Sequence, residues 1–243
     1  MKKTFLTAEW RKLLIANYAV SPDLLLPYLP AGTELDLWNG TCYVSLVGFM
    51  FMNTRLKGIP VPFHRNFEEV NLRFYVTYLE QGQCKRGVVF LKEIVPKPAL
   101  AQVANAVYKE AYEALPMRHS WHTSKDALTV RYSWKKNIWH HLQATAANTP
   151  VPIAPGSEEE FITEHYWGYT RVTAAKTNSY EVVHPQWKVY PVQEAEVQVD
   201  FAEVYGAPFS FLTQRPPESV FLAEGSPVQV REGVPLAWRS KAF

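Results

Sequence analysis

Residues 67–76 read FEEVNLRFYV, and from Glu69 onward they alternate: Val70, Leu72, Phe74 and Val76 are apolar, while Glu69, Asn71, Arg73 and Tyr75 fall between them. A repeat of two marks a β-strand, whose side chains point alternately to its two sides. One side of this strand therefore collects a carboxylate, a carboxamide, a guanidinium and a phenol. Facing water, that row is an ordinary solvated face on which Glu69 and Arg73 pair. Facing an enclosed space, it is the wall of a binding site. Arg73 then offers planar donors to a carboxylate or phosphate, and Glu69 accepts a hydrogen bond or exchanges a proton. The residue types leave both readings open.

A second stretch, FLKEIVPK, sets Lys92 and Glu93 on opposite faces of a strand that is otherwise apolar on both. One of the two must meet something that is not purely hydrophobic, unless Pro96 already takes the strand end into solvent. A desolvated lysine is a candidate amine nucleophile, because burial lowers its pKa. The histidines invite a metal reading, but His119 and His122, three apart, and the adjacent His140 and His141 point to opposite faces of a strand. No HExxH or HxH spacing, no GxSxG elbow and no phosphate-binding glycine loop occurs. No metal and no cofactor are expected.

These residues need elements to hold them. The chain reads as ten or more strands with three modest helices, an α+β, mainly β, fold. Residues 11–20 form a strand. The run SPDLLLP opens a short helix, capped by Ser21 with Pro22 in the first turn. Asn39-Gly40 makes a type I′ turn into a long strand that is apolar on both faces from Tyr43 to Met52, as suits a central strand. Residues 87–95 form another buried strand, ended by Pro96 and Pro98. The run ALAQVANAVYKEAYEALPM, from Ala99, has helical spacing in Leu100, Val103, Ala104, Val107, Ala111 and Ala114. Strands follow at 118–124, 127–135 and 138–145. Ser157 with Glu158–Glu160 opens a last short helix before more β-structure.

Composition narrows the function classes. The 243 residues suffice for one β-rich domain spanning 1–243, and a hydrophobic share of 47% argues against disorder. A net charge of +2 gives no field that would recommend nucleic acid or an anionic membrane as partner. Cys42 and Cys84 are the two cysteines, and both read as buried thiols in a reducing compartment. The start MKKTFLTAEWRKLL is interrupted by Glu9, Arg11 and Lys12 before an apolar region builds. No apolar run approaches the ~18–20 residues that span a bilayer. The expectation is a soluble cytoplasmic protein.

Several stretches taken together resemble the YqjF-like proteins, a bacterial family of unknown function. They are WRKLLIANYAVSPDLLLPYLPAGTELDLWNGTCYVSLVGF, EEVNLRFYV, RGVVFLKEIVPKPALAQVANAVYKEAYEALPMRH, EEFITEHYWGYT and VVHPQWKVY, and the resemblance runs from about residue 10 to about 210. It implies a more distant kinship, by fold, with acetoacetate decarboxylase: a β-barrel or stacked antiparallel sheets around an internal pocket, with a few short helices. On that kinship the strand at 69–76 turns its polar face inward, and Glu69, Asn71, Arg73, Lys92, Glu93, Tyr108 and Tyr112 become the candidates for the pocket wall. The imine-forming lysine of the decarboxylase falls at or beside Tyr112, where the neighbours are Ala111 and Glu113. None of the three is a lysine, and a tyrosine forms no imine. The leading expectation is a pocket for a small anionic or carbonyl compound. The alternatives are a keto-acid lyase or hydrolase that uses Lys92 or Lys109, a ligand-sensing module without catalysis, and a homo-oligomer paired through strands such as 194–201.

Overall fold

The protein was studied as a computed structural model, which describes residues 3–236 apart from the side chains of Val107 and Tyr108. Its first strand, β1 (Thr4–Val20), is 17 residues long, and no proline or glycine interrupts it. Lys12 bends it with φ of 54°, and the pairing register shifts there. The other strands of five or more residues are β2 (Cys42–Leu56), β3 (Phe67–Glu80), β4 (Gln83–Val95), β5 (Met117–Thr123), β6 (Ala127–Lys135), β7 (Trp139–Ala147), β8 (Trp167–Thr173), β9 (Lys176–Val183), β10 (Val192–Gln198) and β11 (Ser219–Arg231). The helices of that length are α1 (Pro98–Tyr108), α2 (Glu158–Thr163) and α3 (Phe201–Tyr205).

Seven strands pair in the order β11, β1, β2, β3, β4, β8, β9, and β9 pairs again with β11 through Val182↔Val230, so the sheet closes on itself as a ring. All these pairings are antiparallel except β4 with β8, which meet in parallel at Trp167↔Gly87. A second sheet, β10-β7-β6-β5, lies against the outside of the ring. Tyr132, Trp134 and Leu142 of that sheet pack on Leu14, Leu46 and Leu72 of the ring. Gly48 admits the closest approach: a Cβ there would stand 2.8 Å from the Tyr132 ring. The Tyr132 hydroxyl then donates to the carbonyl of Lys12 at 2.8 Å, tying the second sheet to the bend in β1.

The ring gives its central strands β2 and β3 two buried faces. On β3, Val70, Leu72, Phe74 and Val76 face the second sheet. Phe67 and Tyr75, at the alternate positions, join the interior cluster with Phe49, Phe51 and Val95. Glu69, Asn71 and Arg73 lie between those two residues on the same side, so the polar face of β3 points into the ring, and all three are buried.

Three expectations need correction. The helix from Ala99 ends at Tyr108, because Lys109 adopts the left-handed conformation with φ of 61°. Beyond it, Tyr112–Ala114 is a short strand parallel to β4, with Tyr112 opposite Glu93. The side chain of Asn105 enforces the change by bonding both the N–H and the carbonyl of Tyr112, at 2.8 and 3.0 Å. Helical propensity is worth only tenths of a kcal/mol per residue and yields to such pairing. The first strand starts at Thr4, well before residue 11. Cys42 is buried as expected, but Cys84 is exposed near the Gln81-Gly82 turn. The strand β10 shows Glu194, Glu196 and Gln198 to solvent. Among the described residues no helix is long and apolar enough to cross a membrane.

Candidate functional site

Inside the ring lies a cavity of about 220 Å³, larger than the ~150 Å³ that admits benzene in an engineered core. Its walls are mostly apolar, with Trp10, Phe49, Phe51 and Phe67 on one side and Leu100 of α1 across one end. Val61, His64 and the partly exposed Val103 mark its mouth, between α1 and the loop before β3.

Five of the seven candidates named from sequence reach this cavity: Glu69, Asn71, Arg73, Glu93 and Tyr112. The side chain of Tyr108 lies outside the described residues. Lys92 is not in the wall. It points to the opposite side of β4, where its Nζ donates to Glu113 at 3.0 Å and to the carbonyl of Val204 at 2.6 Å. Lys109 sits at the exposed end of α1 and does not line the cavity either. Of the adjacent pair 92 and 93, the glutamate is therefore the inward residue.

Sequence reasoning missed Glu110, Tyr180 and His165, which complete the polar wall. Glu110 follows the left-handed turn that ends α1. The Tyr180 hydroxyl donates to its Oε1 at 2.8 Å, and the Thr170 hydroxyl donates to the same oxygen at 3.1 Å. Gly168 makes that reach possible, since a Cβ there would stand 2.2 Å from Tyr180 Cζ. An alternation count could not find Glu110, because the expected helix placed it on another face. His165 donates or accepts through Nε2 with Asp36 at 3.1 Å, and its Nδ1 has no partner.

Three carboxyl groups thus share one wall of the cavity. Asn71 donates to Glu69 Oε1 at 3.0 Å, and the Tyr112 hydroxyl donates more weakly to Oε2 at 3.4 Å. Glu93 lies within hydrogen-bonding range of Tyr112 and Glu110, and its Oε2 is left without a partner. Burial favours the neutral acid in all three; neighbouring carboxylates add to it at Glu69 and Glu93, whereas at Glu110 hydrogen bonds from Tyr180, Thr170 and Glu93 oppose it. Glu69 is pushed up to about 8, Glu110 to about 7, and Glu93 well above the usual carboxylate range. Burial pushes His165 the other way, to about 4, against the pull of Asp36. Arg73 supplies the positive charge: it is buried, makes no ion pair among the described residues, and has an unpartnered Nε. No group of side chains suited to a metal occurs among the described residues.

The description of the DUF2071 family, uncharacterized conserved proteins, matches residues 7–227 of this chain. The chain belongs to this family. Uncharacterized protein YqjF of Bacillus subtilis (strain 168) is 28% identical over 196 residues, which covers 79% of this chain and 77% of that protein. Among solved structures, acetoacetate decarboxylase from Legionella pneumophila superposes with a TM-score of 0.65 at 15% identity, covering 96% of this chain and 87% of the other. The enduracididine biosynthesis enzyme MppR, complexed with pyruvate, gives a TM-score of 0.63 at 10% identity, covering 98% and 91%. At these identities the likeness is one of fold, and the DUF2071 chain shares the decarboxylase-like fold.

Proposed function

We propose that this cytoplasmic protein acts through its cavity, which binds a small organic compound carrying a carboxylate or carbonyl group. One observation carries the reading: Arg73 is a buried guanidinium with an unpartnered donor, in a space large enough for a ligand. A buried cation without a counter-ion is costly, and an anionic or polarised oxygen relieves that cost. The MppR structure with pyruvate supports the same ligand class for the fold.

A second reading, acid–base catalysis on the bound compound, is favoured by Glu110 and Glu69. Groups that titrate at about 7 and about 8 are poised to give and take a proton at neutral pH. The imine route has no support here, since neither Lys92 nor Lys109 lines the cavity.

Mass spectrometry of the purified protein, native against denatured, tests the binding reading. A ligand mass lost on denaturation, and absent from Arg73→Gln, is the expected result. An unchanged native mass in Arg73→Gln would remove the role assigned to Arg73.

A further inference from the structure

The partnerless atoms in this cavity are not all of one kind. Arg73 Nε is a donor, whereas Asn71 Oδ1 is an acceptor and Glu93 Oε2 becomes one once Glu93 gives up its proton, and all three belong to buried residues. Asn71 and Glu93 are register partners across β3 and β4, so their side chains stand side by side on the inner face. The Asn71 amide nitrogen is already committed to Glu69, which leaves its oxygen to accept. Glu69 and Glu110 bracket this pair of free acceptors, and Glu93 is in contact with Glu110. The cavity therefore has two chemically opposite ends, a donor end at Arg73 and an acceptor end around Glu93.

From this polarity we infer that the ligand is a zwitterion, with its carboxylate on Arg73 and a protonated nitrogen among Asn71, Glu69, Glu93 and Glu110. The inference rests on the reading that the cavity holds a small carboxylate or carbonyl compound, and it names the other half of that compound. An ammonium group has three donors and no acceptor. It satisfies both orphaned oxygens and still has one N–H left for Glu69 or Glu110. A neutral carbonyl or a second carboxylate in the same place would leave Asn71 Oδ1 without a donor. Arg73 and Asn71 are two residues apart on one strand face, ~7 Å along it, so the nitrogen and the carboxylate of the ligand sit several bonds apart.

Charge balance leads to the same class. With three carboxyls facing one guanidinium, the empty site stays near neutral by keeping its protons, consistent with the raised titration of all three acids. A bound cation replaces such a proton. A bound anion neutralises Arg73 and removes the charge that holds Glu69 down, which draws a proton in. The two ligand classes therefore differ in the sign of the proton they exchange on binding.

The test is calorimetric titration at pH ~8, where Glu69 is half ionised and can gain or lose a proton, in two buffers of different ionisation enthalpy, with butyrate, butylamine, γ-aminobutyrate and δ-aminovalerate as probes. The expected result is that at least one amino acid binds about tenfold or more tighter than butyrate and, measured against butyrate, releases protons. Glu93→Gln should remove that advantage, read as the ratio of amino-acid to butyrate affinity. Arg73→Gln should weaken butyrate and the amino acids but not butylamine. Thermal melting of each variant checks that it is folded. If butyrate binds as tightly as the amino acids, with proton uptake, the zwitterion inference is overturned and the carboxylate reading stands. If none of the four binds with millimolar affinity or better, the inference is also overturned. The native mass of wild type against Arg73→Gln then decides separately whether the carboxylate reading falls with it.

Discussion

The hydroxyl of Tyr180 reaches Oε1 of Glu110 across a glycine, with the tyrosine ring lying where a side chain at position 168 would be. Gly168→Ala must therefore push the ring away and withdraw a donor from Glu110. The expected cost is ~1–3 kcal/mol, as for other overpacked interiors, read as a lower denaturant midpoint with an unchanged slope. Tyr180→Phe removes only the donor, so it should raise the titration midpoint of Glu110 with less loss of stability. A Gly168→Ala variant as stable as wild type would mean that the ring is free to move.

The buried acids and His165 predict how stability follows pH. Glu69 and Glu110 titrate in the folded state at about 8 and about 7, above their ordinary value of 4.5, so the folded protein holds more protons than the unfolded chain between those limits. Stability then falls as pH rises, by up to ~1.4 kcal/mol per pH unit for each proton held. His165 acts oppositely, since its folded value of about 4 lies below 6.5, and stability is lost as pH falls through that interval. Above pH 6.5 the contribution of the histidine fades within about a pH unit and the acids dominate. Denaturation curves between pH ~6.5 and ~8 should show a decline that Glu69→Gln and Glu110→Gln each flatten. A flat profile in the wild type would mean that the acids are ionised throughout.

Arg73 is expected to be a residue that the fold would be more stable without. At pH ~6, where the neighbouring acids hold their protons, Arg73→Met should raise stability by ~1–2 kcal/mol while abolishing ligand mass. Loss of stability on this substitution would mean that the contact of the guanidinium with the Tyr75 ring, 5.7 Å from Cζ to the centroid, outweighs the cost of burying the charge.

Lys92 should be neither a nucleophile nor a ligand contact. Treatment with pyruvate and borohydride should leave its peptide without added mass. Lys92→Met, which breaks a half-exposed pair with Glu113 and a bond to the carbonyl of Val204, should cost ~1 kcal/mol and leave binding intact. A trapped adduct at Lys92 would restore the imine route.

Much of the wall was legible in the chain because a strand repeats every two residues. Glu69, Asn71 and Arg73 could be placed on one face by counting, but their inward orientation came only from the resemblance to the decarboxylase fold. Counting stops being informative where local preference and tertiary pairing disagree. The run KEAYEAL has every property of a helix, yet one left-handed residue at Lys109 and the amide of Asn105 turn it into a strand, bringing Glu110 and Tyr112 to the cavity. His165 and Tyr180 were invisible for another reason. They lie about 90 or more residues from Glu69 and join it only through the parallel contact of β8 with β4 and the pairing of β8 with β9.

Ring closure bears on how the protein is made. The outer edge of β1 is covered by β11, from Asn17↔Ser219 to Thr4↔Arg231, so strands from opposite ends of the sequence form one wall. During synthesis the amino-terminal strand waits with that edge unpaired until residues 219–231 have left the ribosome. Contacts of such sequence separation make folding slow and leave the intermediate open to pairing with other chains. A nascent chain stalled before Ser219 should therefore need a chaperone to shield β1, and it should have no enclosed cavity to offer a ligand.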